Sequence, residues 1–197
     1  MDRIIWNELK RQLELKRMKV KKGSAQDATF ITSDPGHVKH DDPREEGKTR
    51  RSKDGSFTKK NNITFFGYKG HTIVDDDDRV PFIRSYAVTI AKDHDTRIDL
   101  SKHGITVYRD KGYFGSDPKG IDDTMDRAVR DHKLFIESVR RNIRISRKRS
   151  LVEYPYAVMK RMFHFSHVMV TLVRRVRVKF MFECFGYNVH ALKIVHG

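Results

Sequence analysis

Apolar positions in the first half of the chain predict one helix, one short strand and a hairpin. Residues 2–18 carry apolar side chains three and four positions apart, the spacing of an amphipathic helix. Residues 28–32 form a short β-favouring run that begins beside Asp27. Residues 63–74 and 79–91 predict two strands of a hairpin, because apolar and polar side chains alternate well in the second run.

The second half is predicted to contain one buried strand and several helices. The apolar, β-branched run 105–108 is typical of a buried strand, and Asp110 follows at its end. Short helices are predicted over 94–102 and 121–132, with a strand candidate at 134–136. The order of these elements favours an α/β fold.

The C-terminal part is predicted to be helical. Glu153 opens a helix in which Pro155 fits the first turn. A final long helix is predicted over about 166–195, with a break at Gly186. Its stripe of Met and Phe side chains indicates packing against the core.

Polar segments separate these elements. Residues 33–62 are rich in Pro, Gly and mixed charge, which predicts a mobile loop. His37 and His40 lie in this loop, where solvated side chains are a simpler interpretation than a metal site. Residues 75–78 are four adjacent aspartates that lack the spacing and the glycine of a calcium loop, so we expect a solvated turn.

Composition narrows the possible partners. The 197 residues suffice for one domain with a core, and 41 Lys and Arg against 26 Asp and Glu leave a net charge of +15. That excess predicts a polyanionic partner, either nucleic acid or an anionic membrane surface. The single cysteine, Cys184, excludes a disulfide framework and favours the cytoplasm. The longest uncharged apolar stretch, 165–173, is too short to span a bilayer.

A dense basic cluster precedes Glu153. Six of the ten residues over 140–149 are Lys or Arg, and a surface helix usually mixes charges of both signs. Phosphate contact is the favoured interpretation, and a solvated stretch is the alternative. The six residues are Arg140, Arg141, Arg144, Arg147, Lys148 and Arg149.

Three carboxylates stand where a mixed sheet could bring them to one edge. Asp27 borders an early strand, Asp110 ends a later one, and Glu153 opens a helix. Grouped carboxylates repel one another unless a cation lies between them, and Mg²⁺ accepts a few carboxylates together with phosphate and water. Two such ions about 4 Å apart support phosphodiester cleavage and strand transfer. The alternative for Asp110 is that it only caps the helix that follows.

Four segments, in order over about 24–192, resemble the catalytic domain of the DDE transposases of prokaryotic insertion sequences. In the last segment, Arg149, Glu153 and Lys160 keep the R-x3-E-x6-K spacing of that family. The other three segments are Gln26-Asp-Ala-Thr-Phe-Ile-Thr-Ser-Asp-Pro-Gly36, Phe66-Gly-Tyr-Lys-Gly-His-Thr-Ile73 and Tyr108-Arg-Asp-Lys-Gly-Tyr-Phe-Gly115. Where the family pattern has a Tyr three residues before the Arg, this chain has Ser146.

The resemblance implies a ribonuclease-H-like mixed sheet flanked by helices, with a long C-terminal helix. It implies that Asp27, Asp110 and Glu153 bind two Mg²⁺ ions, with Mn²⁺ as an alternative, and perform catalysis. It implies double-stranded DNA as the partner, comprising transposon ends and target, and a homodimer in the active state without membrane association. The DNA-contacting residues expected from the family match and from charge are Arg149, Lys160, Lys111, Arg147 and Arg144.

The family also carries an N-terminal helical region that recognises the transposon ends, whereas Asp27 follows here after a single helix. We therefore expect residues 1–22 to be a helical remnant and residues 23–197 to be the catalytic domain of a truncated copy or of a split reading frame. The predicted function is metal-dependent DNA cleavage and strand transfer in a cytoplasmic, nucleoid-associated protein. The alternatives are a non-catalytic basic DNA-binding remnant and a structure-specific nuclease of the same fold.

Overall fold

The structure is a computed structural model that describes residues 2–16, 23–36, 52, 54–60, 62–76, 80–130 and 132–196. Within these ranges the chain forms four α-helices and seven strands. The helices are α1 (Asp2–Leu15), α2 (Ile136–Arg149), α3 (Glu153–Phe163) and α4 (Val173–His196). The strands are β1 (Ser24–Ser33), β2 (Ser56–Lys60), β3 (Ile63–Asp75), β4 (Ile83–Ile90), β5 (Thr106–Arg109), β6 (Ile121–Thr124) and β7 (His167–Val168).

The strands form one mixed sheet. Its main path runs β2-β3-β1-β5-β6, while β4 pairs with β3 and β7 pairs with β1. The first strands along the chain pair antiparallel, and the β1–β5 and β5–β6 pairs are parallel. The predicted α/β class is confirmed, with a mixed sheet, flanking helices and a long C-terminal helix as a ribonuclease-H-like domain requires.

The long strand β3 lies in the antiparallel part of the sheet, and close packing against it explains two of its glycines. A side chain at Gly67, where φ is +142°, would meet the Ile31 carbonyl oxygen at 2.3 Å. A side chain at Gly70 would meet the ring of the buried Phe180 of α4 at 2.7 Å. The absence of a side chain at these two positions therefore lets β1 and α4 pack closely against β3.

The N-terminal helix and α4 cover the antiparallel strands. On α1 the side chains of Trp6, Leu9 and Leu13 are buried in the same core as Phe180. The predicted amphipathic helix is thus confirmed as a packing element over Asp2–Leu15. None of the helices in the described ranges has the length and apolarity that crossing a bilayer requires.

Several predicted element boundaries are wrong. The helix predicted over 121–132 is instead strand β6 followed by irregular chain, because β6 pairs in parallel with β5 over four residues. The buried Arg109 of β5 donates hydrogen bonds to the Thr124 hydroxyl at 2.7 Å and to the Asp122 carboxylate at 3.1 Å. This pairing with a neighbouring strand overrides the local helical spacing.

Other helix predictions are also corrected. Only a short 3₁₀ turn, Asp95–Arg97, forms within the helix predicted over 94–102, and no strand forms at 134–136. The last helix begins at Val173 rather than near 166, because β7 pairs with β1 first. It continues through Gly186 without the predicted break.

The predicted loop over 33–62 contains strand β2, which pairs with the first half of β3. The loop prediction is therefore wrong for residues 56–60, and its histidines, His37 and His40, lie outside the described residues. The division of the chain at residue 22 stays a prediction.

The hairpin of β3 and β4 is confirmed, but its tip is not a fully solvated turn. Asp75 is buried, accepts a hydrogen bond from the Phe82 amide at 2.6 Å and pairs with Arg84. Asp76 is also buried and pairs with Lys148 of α2 at 2.9 Å. The first two of the four aspartates therefore anchor the tip to its surroundings.

Candidate active site

Parallel pairing of β1 and β5 sets two of the predicted carboxylates side by side. The register pairs Ser24 with Val107 and Ala25 with Tyr108. Continuing it by two residues places Asp27 level with Asp110, and level residues in adjacent parallel strands point to the same face. Asp27 therefore lies inside β1 rather than at its start, and Asp110 follows directly after β5.

Asp110 also serves the alternative capping role. Its carboxylate accepts a hydrogen bond from the Gly112 amide at 2.8 Å and caps the 3₁₀ turn Lys111–Tyr113. A side chain at Gly112 would lie 2.9 Å from the Asp110 carboxylate. The cap engages one oxygen and fixes the side chain at the strand end, so capping and ligand binding are compatible roles.

The junction of α2 and α3 brings Arg149 and Glu153 together. Arg149 ends α2, a 3₁₀ turn spans Ser150–Val152, and Glu153 begins α3. The backbone stays in the right-handed helical region at Arg149 and at Glu153, so the R-x3-E spacing keeps its helical geometry across the junction. Residues four apart in such a segment face each other.

Arg149 bridges two of the three carboxylates. Its guanidinium donates from Nη1 to Asp27 Oδ2 at 2.9 Å and from Nη2 to Glu153 Oε1 at 3.0 Å. The side chains of Arg149 and Asp27 are about one-fifth exposed, at 19% and 21%, whereas that of Glu153 is 61% exposed. The site is therefore sheltered from solvent at Asp27, which we call its floor, and open to solvent at Glu153, which we call its lip.

The environment of Asp27 disfavours its ionised form. Burial is the main cause that raises the pKa of Asp27 to about 6, and the charges of Asp110 and Asp95 add to it. The Ala28 amide, which donates to Asp27 at 2.8 Å, and the Arg149 charge oppose this rise in pKa. The part of this rise that comes from Asp110 and Asp95 reflects a negative potential, which a bound cation would offset.

Tyr156 was not identified as a site residue from the sequence, yet its hydrogen bonds hold the backbone at Asp27 in place. Its hydroxyl lies 2.8 Å from both the Thr72 hydroxyl and the backbone carbonyl oxygen of Asp27, to which it donates. Tyr156 thus ties α3 to β1 and β3 beneath the carboxylates. Its position three residues after Glu153, one turn along the helix, was the only available signal.

Asp95 and Tyr113 are further neighbours of Asp27 that the sequence analysis missed as site residues. Asp95 forms an ion pair with Lys69 at 2.9 Å. Tyr113 is buried, and its pKa is raised by burial and by the charges of Asp95 and Asp27. Asp95 lies in the segment predicted as a short helix, where its spacing gave no signal.

The donor set suits a hard divalent cation, but the present arrangement is not a formed metal site. No group of three or more His, Cys, Asp or Glu side chains in the described ranges is arranged to hold a metal ion. The Arg149 guanidinium lies between Asp27 and Glu153, and its positive charge offsets the negative charge of both carboxylates. Carboxylate oxygens are the ligands that hard divalent cations such as Mg²⁺ prefer, so the chemistry of these side chains suits such an ion.

The basic cluster of α2 divides into two groups. Arg141 pairs with Asp123 at 3.0 Å and with Asp126 at 3.3 Å, and Lys148 pairs with the buried Asp76. These cations, like Arg149, neutralise carboxylates of the protein itself. The remaining three side chains are exposed and lie on one face of α2, and we call them the α2 basic face: Arg140, Arg144 and Arg147.

Two other predicted DNA-contacting residues, Lys160 and Lys111, are exposed. Lys160 is exposed on α3, two turns after Glu153 and on the same face. Lys111 is exposed directly after Asp110. Ser146 is half-buried on α2 in the turn before Arg149.

Comparison with known proteins finds a matching family and one similar protein. Residues 18–189 match the family model described as the transposase DDE domain. The chain is similar to the transposase for insertion sequence element IS1106 of Neisseria meningitidis serogroup B, with 29% identity over 179 residues. That match covers 80% of this chain and 61% of the relative, so the chain spans about three-fifths of the relative's length. No solved structure matches the chain.

Proposed function

The chain belongs to the transposase DDE domain family, and from this premise we propose that it catalyses metal-dependent DNA cleavage and strand transfer for an insertion sequence. Water would attack the phosphodiester at a transposon end, and the freed 3′-hydroxyl would then attack target DNA, both by in-line displacement. The observation that supports the proposal is that the β1–β5 register sets Asp27 level with Asp110, while Arg149 joins Asp27 to Glu153.

We assign the three carboxylates as the ligands of two Mg²⁺ or Mn²⁺ ions. When bound, these ions would supply the positive charge that offsets negative charge developing on the scissile phosphate. Asp27 would hold its position through Tyr156, and Asp110 through the Gly112 amide. Glu153 would complete the set of ligands from the exposed side of the site.

The proposed partner is double-stranded DNA, as transposon end and as target. Lys160, Lys111 and, once released, Arg149 would contact phosphates beside the carboxylates, where charge-assisted hydrogen bonds are strongest. Arg144 and Arg147 of the α2 basic face would contact phosphates farther along the duplex. We propose that the active form is a homodimer that works in the cytoplasm in association with the nucleoid.

Replacement of Asp110 by Asn tests the catalytic assignment. Asn can still accept the hydrogen bond from the Gly112 amide, so Asp110→Asn should fold normally and bind DNA with unchanged affinity. It should lose nicking of supercoiled plasmid in Mg²⁺ or Mn²⁺, because an amide is a much poorer metal ligand than a carboxylate. The matched control is Asp117→Asn, an exposed aspartate in the loop that follows the same strand. Normal nicking by Asp110→Asn would refute the assignment.

The same assays separate the two alternatives. A non-catalytic binding remnant would bind DNA with a steep salt dependence and nick no plasmid at any concentration of divalent cation. A structure-specific nuclease would cut DNA but fail to join a precut 3′-hydroxyl end to target DNA. The proposed transposase should perform both reactions.

A further inference from the structure

Arg149 holds the site together with an incomplete set of hydrogen bonds. It makes one hydrogen bond to Asp27 and one to Glu153, and neither pairing is bidentate. Its Nε is buried and finds no hydrogen-bond partner among the described residues. A guanidinium has five donor hydrogens in a fixed fork, so this arrangement leaves a buried donor unsatisfied.

The location of Arg149 excludes a divalent cation from the same carboxylates. A guanidinium 2.9 Å from Asp27 and 3.0 Å from Glu153 occupies the space that a shared ion would need. Its positive charge also repels an approaching divalent ion, and this repulsion is strongest beside Asp27, where both side chains are mostly sheltered from water. Metal ligation by both carboxylates therefore requires Arg149 to move away.

A DNA phosphate offers Arg149 a more complete set of acceptors. A phosphate can accept two parallel hydrogen bonds from one edge of a guanidinium, including one from Nε. Glu153 and Lys160 are both exposed on one face of α3, so a phosphate held by Lys160 approaches the site from its open lip. Arg149 is four residues from Glu153 and can turn toward that lip without a change in the helices.

We propose that Arg149 is a positioning residue that keeps the carboxylates closed to divalent cations until a DNA phosphate takes up its guanidinium. Metal binding and DNA binding would then be coupled, each favouring the other, as thermodynamic linkage requires. This inference rests on the proposed function, since it takes Asp27, Asp110 and Glu153 as metal ligands. It predicts that the free protein binds metal weakly and does not cut before DNA is in place.

Binding of Mn²⁺, measured by electron paramagnetic resonance with and without a short DNA duplex, tests the coupling. The unmodified chain should bind Mn²⁺ at least about tenfold more tightly with DNA, within the usual range of coupling between sites. Arg149→Gln should bind Mn²⁺ at least about tenfold more tightly than the unmodified chain without DNA, and should gain little when DNA is added.

Two matched variants separate charge from other effects. Arg149→Lys keeps a positive charge and should keep Mn²⁺ binding weak in the absence of DNA. Arg174→Gln removes an exposed arginine charge from α4, outside the proposed site, and should leave Mn²⁺ binding to the free protein unchanged. Circular dichroism confirms that each variant is folded before binding is compared.

The outcomes distinguish this inference from the proposed function. If Arg149→Gln binds Mn²⁺ no more tightly than the unmodified chain while Asp27→Asn abolishes binding, the carboxylates bind metal but Arg149 does not gate them. If the unmodified chain binds no Mn²⁺ even with DNA, or if Asp27→Asn has no effect on binding, the metal assignment and the proposed function both fail.

Discussion

Burial shifts the pKa of two titratable groups in the sheet around the site. His71 of β3 is fully buried, and its Nε2 lies 2.9 Å from the Thr89 hydroxyl of the neighbouring strand β4. Burial is the main cause that lowers the pKa of His71 to about 4. Asp27, on the adjacent strand β1, has its pKa raised to about 6, so the two groups respond to pH in opposite directions.

The sign of each contribution follows from proton linkage. As pH falls below about 6.5, the unfolded chain protonates His71 while the folded chain stays neutral to about 4, so His71 lowers stability in acid. Asp27 takes up its proton in the folded state first, so its contribution to stability decreases as pH rises through about 6. The two effects partly cancel in the unmodified chain.

Replacement of His71 by Gln should isolate the histidine contribution. Between pH 7.5 and pH 5, the unmodified chain should lose about 1–2 kcal/mol more of its free energy of unfolding than His71→Gln does. Gln cannot take up a proton, and its amide can still hydrogen-bond to Thr89. Urea unfolding curves at the two pH values measure the difference. Identical pH dependence of the two proteins would contradict a buried neutral histidine.

At the scale of the element, α2 serves two purposes on opposite sides. Arg149 lies on its inner side toward β1, while the α2 basic face (Arg140, Arg144 and Arg147) points to solvent. Arg141 is half-buried between these sides and pairs with Asp123 and Asp126. A count of charges alone treats these residues alike, whereas the pairing of each one decides whether it is available to a phosphate.

Salt dependence of DNA binding distinguishes these groups. Arg144→Gln and Arg147→Gln should each reduce the magnitude of the slope of log affinity against log salt by about 0.9, the change expected for one lost phosphate contact. Fluorescence anisotropy of a labelled duplex over a range of NaCl concentrations measures the slope.

Arg141→Gln is the matched control on the same helix. It should leave the salt slope unchanged but lower the melting temperature, because Asp123 and Asp126 lose their cation. An unchanged slope for both Arg144→Gln and Arg147→Gln would remove the α2 basic face from the DNA interface.

At the scale of the whole molecule, side chains of α4 satisfy backbone groups at the start of β4. The buried side chain of Asn188 accepts a hydrogen bond from the Ile83 amide and donates one to the Ile83 carbonyl oxygen, both at 2.9 Å. The Tyr187 hydroxyl donates to the Pro81 carbonyl oxygen at 2.6 Å just before β4. The start of β4 is thus paired with a helix.

Truncation of Asn188 should destabilise the fold strongly. In Asn188→Ala, the buried amide and carbonyl groups of Ile83 lose their partner, which should cost about 2–4 kcal/mol. Urea unfolding measures the loss, and Lys193→Ala, an exposed change on the same helix, should stay within about 0.5 kcal/mol of the unmodified chain. Equal stability of the two variants would show that α4 does not supply this pairing.

The sequence by itself determined the features that depend on local pattern and on motif spacing. The spacing of apolar residues located α1, the β3–β4 hairpin and strand β5, which ends just before Asp110, because one buried face imposes its period on the residues that form it. Pro155, which fits the first turn of a helix, placed Glu153 at the start of α3, and four motif segments together indicated the family.

Only the tertiary structure decided which side chains meet across long distances in the chain. Segment 121–132 has helical spacing, yet its first residues form β6 because β5 offers an unpaired strand edge. Asp76 is buried because Lys148 reaches it from α2. Arg149 meets Asp27, 122 positions earlier in the chain, because α2 packs beside β1. Contacts between residues this far apart leave no periodic pattern in the sequence. Only the folded chain therefore decides which charged side chains pair in the site.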